Sequence, residues 1–161
     1  MSLASKTMCS SMMNVNPDFF VSKNSRVFNA GAYGMNEVYD FISVTLASVR
    51  ASEQNVALLE MVADEIFTNI MSYAYEEDAD KWVALEMRLE DETVTMTFTD
   101  GGRPFDPLET PPPDITLPAS ERKIGGLGIH IVRTVMDDVS YLRDGGRNIL
   151  TGRKKIKPAT S

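Results

Sequence analysis

Apolar residues recur along this chain with two different periods, and the change of period divides it. Val38, Phe41, Ile42, Leu46 and Val49 fall at three- and four-residue intervals, which predicts a helix over 35–49. Val56, Leu59, Ala63, Ile66, Phe67, Ile70 and Ala74 make a second, broader stripe. A second helix is therefore expected from Ser52, a suitable N-cap, to about residue 75. After the polar break Glu76 to Asp80 the period drops to two. Residues 83–89 and 94–99 alternate, with Glu90-Asp91-Glu92 between them, which is the pattern of a β-hairpin. Upstream, 27–29 reads as a short strand broken by Gly31 and Gly34. The proline-rich stretch 101–124 is expected to be a long loop, and loops of that length in a compact domain are usually functional. A short apolar helix over 128–136 follows, then a closing hairpin of 139–142 and 148–154 across Asp144-Gly145-Gly146. The order is β-α-α-β-β-loop-α-β-β. Strands gather after the helices, which argues for an α+β fold: a two-layer sandwich with helices on one face of a mixed, mostly antiparallel sheet.

Composition narrows the function classes. The 161 residues suit one domain, taken as 25–157, between an N-terminal tail (1–24) and a short C-terminal tail (158–161). Residues 1–16 are polar, rich in Met and Ser, and lack the apolar centre of a signal peptide. No apolar run approaches the roughly 20 residues that span a bilayer, so a cytoplasmic location and no membrane partner are expected. Cys9 is the sole cysteine and His130 the sole histidine. That excludes an internal disulfide and a thiolate zinc site, and argues against multi-His metal sites and a Ser-His-Asp hydrolase. The net charge of −7 argues against broad nucleic-acid binding. Arg147, Arg153, Lys154, Lys155 and Lys157 nonetheless crowd the last strand, where an acidic partner is one reading.

Three polar or glycine-rich elements carry candidate chemistry. Glu65 and Asn69 stand one helical turn apart at the edge of the apolar stripe. A carboxylate there can act as a general base and a carboxamide oxygen is a hard ligand suited to Mg²⁺, although a solvated helix edge gives the same pattern. Asp100 ends an alternating run and precedes Gly101-Gly102. Its carboxylate can accept from an exocyclic amine, favouring adenine over guanine, while Gly102 permits close approach; a plain Asp-Gly turn is the alternative. Gly125, Gly126 and Gly128 precede an apolar helix, where free backbone N–H groups make an anion site or a flexible hinge. Arg122 and Lys123 lie just upstream, within reach of phosphates.

In order and separation, Glu65-x-x-x-Asn69, Asp100-x-Gly102 and Gly126-x-Gly128 resemble the N, G1 and G2 boxes of the GHKL ATPases. The fuller patterns, Glu65-Ile-Phe-Thr-Asn69 running on to Ala74-Tyr75, Asp100 to Pro107 and Gly125 to Val132, are more similar to the bacterial anti-sigma-factor serine kinases. That resemblance implies a Bergerat ATP-binding fold with ATP and Mg²⁺ as cofactors, and 101–124 as a lid. It implies that Asn69 ligands the metal, that Asp100 takes the adenine amino group, that Gly102 lines the base pocket, and that Phe105 also belongs to the cofactor site. Gly126 and Gly128, with Gly125 and Leu127 beside them, would contact phosphates, and Glu65 would activate the acceptor hydroxyl. The implied partners are a STAS-domain anti-anti-sigma protein carrying that hydroxyl, a sigma factor, and a second copy of the chain. Two departures stand out: Ile124 replaces a basic residue frequent before the G2 glycines, and Tyr73 replaces a frequent His. Two other functions fit the same motifs: a non-catalytic, nucleotide-gated binding module, and the ATPase domain of a larger signalling protein such as a phosphatase fusion or sensor histidine kinase.

Overall fold

A computed structural model describes residues 24–29, 35–77, 79–111 and 127–156. Strand β1 (Ser25–Asn29) leads to helices α1 (Asn36–Ala47) and α2 (Glu53–Asn69), the latter prolonged by a π-helical turn, Ile70–Ala74. Strands β2 (Trp82–Glu90) and β3 (Thr93–Asp100) form the first hairpin. A 3₁₀ turn at Pro107–Glu109 lies in the following loop, and helix α3 (Leu127–Val135) precedes the second hairpin, β4 (Asp138–Asp144) and β5 (Arg147–Lys155).

The five strands form one sheet in the order β1-β2-β3-β5-β4. All four pairings are antiparallel, so the α+β expectation holds at its fully antiparallel limit. Alternation places Val83, Leu85 and Met87 of β2, and Val94, Met96 and Phe98 of β3, in the core. Against them pack Ile42 and Leu46 of α1, Leu59, Val62 and Ile66 of α2, and Val132 of α3. Edge-to-face aromatic contacts link Phe28, Phe67 and Phe98 from strand to helix to strand, with ring centres 5.8 and 6.0 Å apart.

Local chemistry sets the element ends. Ser52 caps α2 by accepting the Asn55 N–H at 3.3 Å, as its position suggested. Both hairpins turn on two residues in the left-handed region: Asp91 and Glu92 in the first, Gly145 and Gly146 in the second. The expected single helix from Ser52 to about residue 75 instead changes register after Asn69. Its last carbonyls leave the helical ladder, and Arg103 satisfies two of them: its backbone N–H donates to Ala74 O at 2.8 Å and its Nε to Tyr73 O at 2.7 Å. Among the described residues no helix is long and apolar enough to cross a membrane.

Candidate nucleotide site

The end of β3 meets the end of α2 in a narrow cleft lined by Ile66, Asn69, Ile70, Asp100, Phe105, Pro107, Tyr141, Asn148 and Leu150. Three predicted site residues, Asn69, Asp100 and Phe105, are thus brought together from segments far apart in sequence. The enclosed part of the cleft is small, about 10 Å³, the room of about one water. Phe105, half-buried and stacked on the exposed Tyr73 ring at 5.3 Å, covers one side. A larger, mostly apolar cavity of about 290 Å³ lies at the other end of the sheet, beside Val49, Leu89, Ile156 and the β2–β3 turn. It contains none of the motif residues and is set apart from Asp100 by most of β3, roughly 23 Å of strand.

Asp100 is 3% exposed, an unusual position for a carboxylate. Burial pushes its pKa up, opposed by hydrogen bonds from Asn148 and Gly102 and by the Arg143 charge. Both hydrogen bonds converge on Oδ1: the Gly102 N–H and Asn148 Nδ2 each donate at 2.8 Å. Among the described residues Oδ2 receives none. Asn148 faces Asp100 because β3 and β5 pair in that register.

Gly102 sits against the π-helical turn. A Cβ there would overlap the Ala74 carbonyl oxygen and lie 2.8 Å from that carbonyl carbon, so glycine lets the loop dock on the π-helical turn. Tyr75 locks the same corner. Its hydroxyl donates to Trp82 O at 2.8 Å and accepts from the Gly101 N–H at 3.0 Å. Burial raises its pKa, partly offset by those backbone bonds.

Glu65 lies one helical turn before Asn69 and faces the start of α3. A Cβ on Gly128 would overlap Glu65 Oε2 and stand 3.1 Å from Cδ, so carboxylate and glycine backbone are in close apposition. Burial, then the neighbouring Asp64 charge, raises the Glu65 pKa. Leu127 is exposed in the first turn of α3, and Arg133 further along donates to Leu108 O, tying α3 to the 3₁₀ turn. Arg122, Lys123, Gly125 and Gly126 lie outside the described residues. Sequence patterns did not point to Asn148, Tyr141 or Arg143 as site residues. The only signal for them was an isolated Asn within an apolar-alternating closing hairpin.

A family model described as the histidine kinase-like ATPase domain matches residues 29–154. The chain belongs to this family, the GHKL ATPases, whose domains bind ATP. It is distantly related to the serine-protein kinases RsbW. One from Bacillus cereus is 29% identical over 96 residues, covering 57% of this chain and 59% of the relative. That of Listeria monocytogenes serovar 1/2a is 30% identical over 97 residues, covering 57% and 61%. The match thus spans about three-fifths of the length of these curated relatives. Two solved structures share the fold. The RsbU and RsbW domains of Rv1364c from Mycobacterium tuberculosis align with TM-score 0.57 at 14% identity, over 84% of this chain and 33% of that one. The histidine kinase domain of the Erythrobacter litoralis EL346 blue-light activated histidine kinase aligns with TM-score 0.50 at 17% identity, over 80% and 62%.

Proposed function

We propose that this chain is an ATP- and Mg²⁺-dependent protein serine/threonine kinase of the anti-sigma-factor type. Its acceptor would be a hydroxyl on a STAS-domain anti-anti-sigma protein, and a sigma factor would be the competing partner. The observation that supports this best is the placing of Asp100 beside Asn69, with Glu65 one helical turn from Asn69. Asp100 and Asn69 line one cleft, and Glu65 stands a turn further on against Gly128. That order matches the parts of a nucleotide lying from base to terminal phosphate. The kinship with RsbW supports the choice of acceptor over a histidine.

In this reading Asp100 Oδ2 accepts from the adenine amino group, and the backbone N–H groups opening α3, including Gly128, face phosphate oxygens. The acceptor hydroxyl gives its proton to the Glu65 carboxylate as its oxygen bonds to the γ-phosphorus and the bond to the departing ADP breaks. A carboxylate with a raised pKa is a better proton acceptor, and Glu65 has one. Asn69, whose side chain carries a hard oxygen donor, is among the residues that line the cleft. Mg²⁺, when bound, would neutralise charge on the triphosphate, and Asn69 is the residue that would hold it.

The test is transfer of labelled γ-phosphate from ATP to a STAS-domain protein, alongside ATP affinity with and without Mg²⁺. Glu65→Gln should bind ATP but transfer at least ~10²-fold more slowly. Asn69→Ala should lose the Mg²⁺ dependence, and Asp100→Ala the binding. Unaltered affinity in both of the last two variants overturns the site; intact binding with no transfer to any STAS protein leaves a nucleotide-gated binding module.

A further inference from the structure

Asn148 is fixed in one orientation by its neighbours, and the fixed orientation has a chemical consequence. It is 3% exposed, and its carboxamide takes part in five hydrogen bonds. Nδ2 donates to Asp100 Oδ1 at 2.8 Å and to Arg103 O at 2.9 Å. Oδ1 accepts from the Tyr141 hydroxyl at 2.7 Å, Arg143 Nη1 at 2.8 Å and the Phe105 N–H at 3.3 Å. A guanidinium and a backbone N–H can only donate. Turning the amide over would set NH₂ against both and oxygen against a carboxylate, so Nδ2 must face Asp100.

Two donors that cannot accept a proton therefore occupy Asp100 Oδ1, and Oδ2 is the oxygen left for a ligand. We infer that Asn148, clamped by Arg143 and Tyr141, is the positioning residue that keeps Asp100 purely an acceptor toward the ligand. It thereby sets a preference for 6-amino over 6-oxo purines. The inference rests on the nucleotide-site reading above. An ionised Oδ2 accepts from a 6-amino group but meets the lone pairs of a 6-oxo group. A carboxyl protonated on Oδ2 would donate instead, tolerating the oxo group and losing the amino group. Burial pushes Asp100 toward that protonated form, and the Asn148 and Gly102 hydrogen bonds and Arg143 hold it back. The other ionisable groups around the carboxylate are Tyr75, beyond the π-helical turn, and Tyr141 on β4; Arg103 and Asp106 sit in the loop above. The face supplied by α2 and its extension, Ile66, Asn69 and Ile70, carries no titrating group.

ATP and GTP affinities of the wild type, Asn148→Leu and Arg143→Met, measured from neutral to acid pH with melting temperatures as a folding control, test this. The wild type should prefer ATP. Asn148→Leu should narrow the ATP-to-GTP ratio at least ~10-fold, and move the acid loss of ATP binding to higher pH. Arg143→Met should do both more weakly, since Tyr141 and Phe105 still hold the amide. Folded variants with the wild-type ratio and acid limb overturn the inference. Should the leucine variant fail to fold, Arg143→Met decides alone, and an unchanged ratio and limb there is the refuting result. A wild type that binds both nucleotides equally overturns the inference but leaves the nucleotide site standing; one that binds neither overturns both.

Discussion

Replacing Gly128 by alanine should leave a folded protein in which phosphotransfer is slowed about 10²-fold. The new Cβ would overlap Glu65 Oε2 and stand 3.1 Å from Cδ, whereas carbon contacts settle near 3.5–4.0 Å. What it meets is the tip of a flexible side chain, so the carboxylate can swing away while both helices stay in place. Leaving its preferred rotamer costs about 0.5–1.5 kcal/mol. Alanine in place of glycine within α3 returns up to about 1 kcal/mol of helix propensity. The two nearly cancel, and the melting temperature should move by only a few degrees, about 4 °C per kcal/mol at this size. Geometry at Glu65 changes far more: its carboxylate retreats by about 1 Å, and a base misplaced that far slows the reaction about 10²-fold. Calorimetry, ATP titration and single-turnover transfer of labelled γ-phosphate would be run on the same preparation. ATP affinity should change much less than transfer, because alanine keeps the backbone N–H. Transfer at the wild-type rate would refute Glu65 as the base. A melting temperature lower by more than about 10 °C would refute the claim that only a side-chain tip has to yield.

Gly102→Ala should behave in the opposite way, because its obstacle is backbone. The Cβ would overlap Ala74 O and lie 2.8 Å from Ala74 C and Cβ. Overpacking of about 1–3 kcal/mol, with about 1 kcal/mol for the disrupted Arg103 N–H to Ala74 O bond, should lower the melting temperature by about 8–16 °C; a neutral effect would show that the π-helical turn yields freely. Asp100→Asn should keep or raise the melting temperature at neutral pH while ATP affinity drops at least ~10-fold. The sign follows from the raised pKa of Asp100: its protonated form adds stability below the ordinary carboxylate range, and that is lost as pH rises through the folded-state value. The gap between variant and wild-type melting temperatures should therefore close on acidification, and a gap independent of pH would contradict the argument. Tyr75→Phe removes the hydroxyl shared by Trp82 O and the Gly101 N–H and should cost about 1–3 kcal/mol in urea unfolding at unchanged slope; full stability would mean that water replaces the hydroxyl.

Much of the architecture is written in short-range pattern. The Ser52 cap, the helical stripes of α1 and of α2 as far as Asn69, and the alternation of β2 and β3 each depend on residues a few positions apart, and each is present where the periodicity placed it. The same locality made Glu65, Asn69 and Asp100 visible as chemistry-bearing groups at element edges. What the pattern could not carry is anything that depends on which strand lies beside which. Asn148 meets Asp100 only because β5 pairs with β3 across 48 residues in one register, and a shift of one position would turn Asn148 to the other face of the sheet. Gly102 was legible as a place of close approach, but that a Cβ there would meet the Ala74 carbonyl follows only from the folded chain, where the helix changes register beyond Asn69. Periodicity is a property of one segment, and the amino acids alone supplied it. Register and close approach are properties of two segments closed against each other, and only the folded chain decides them.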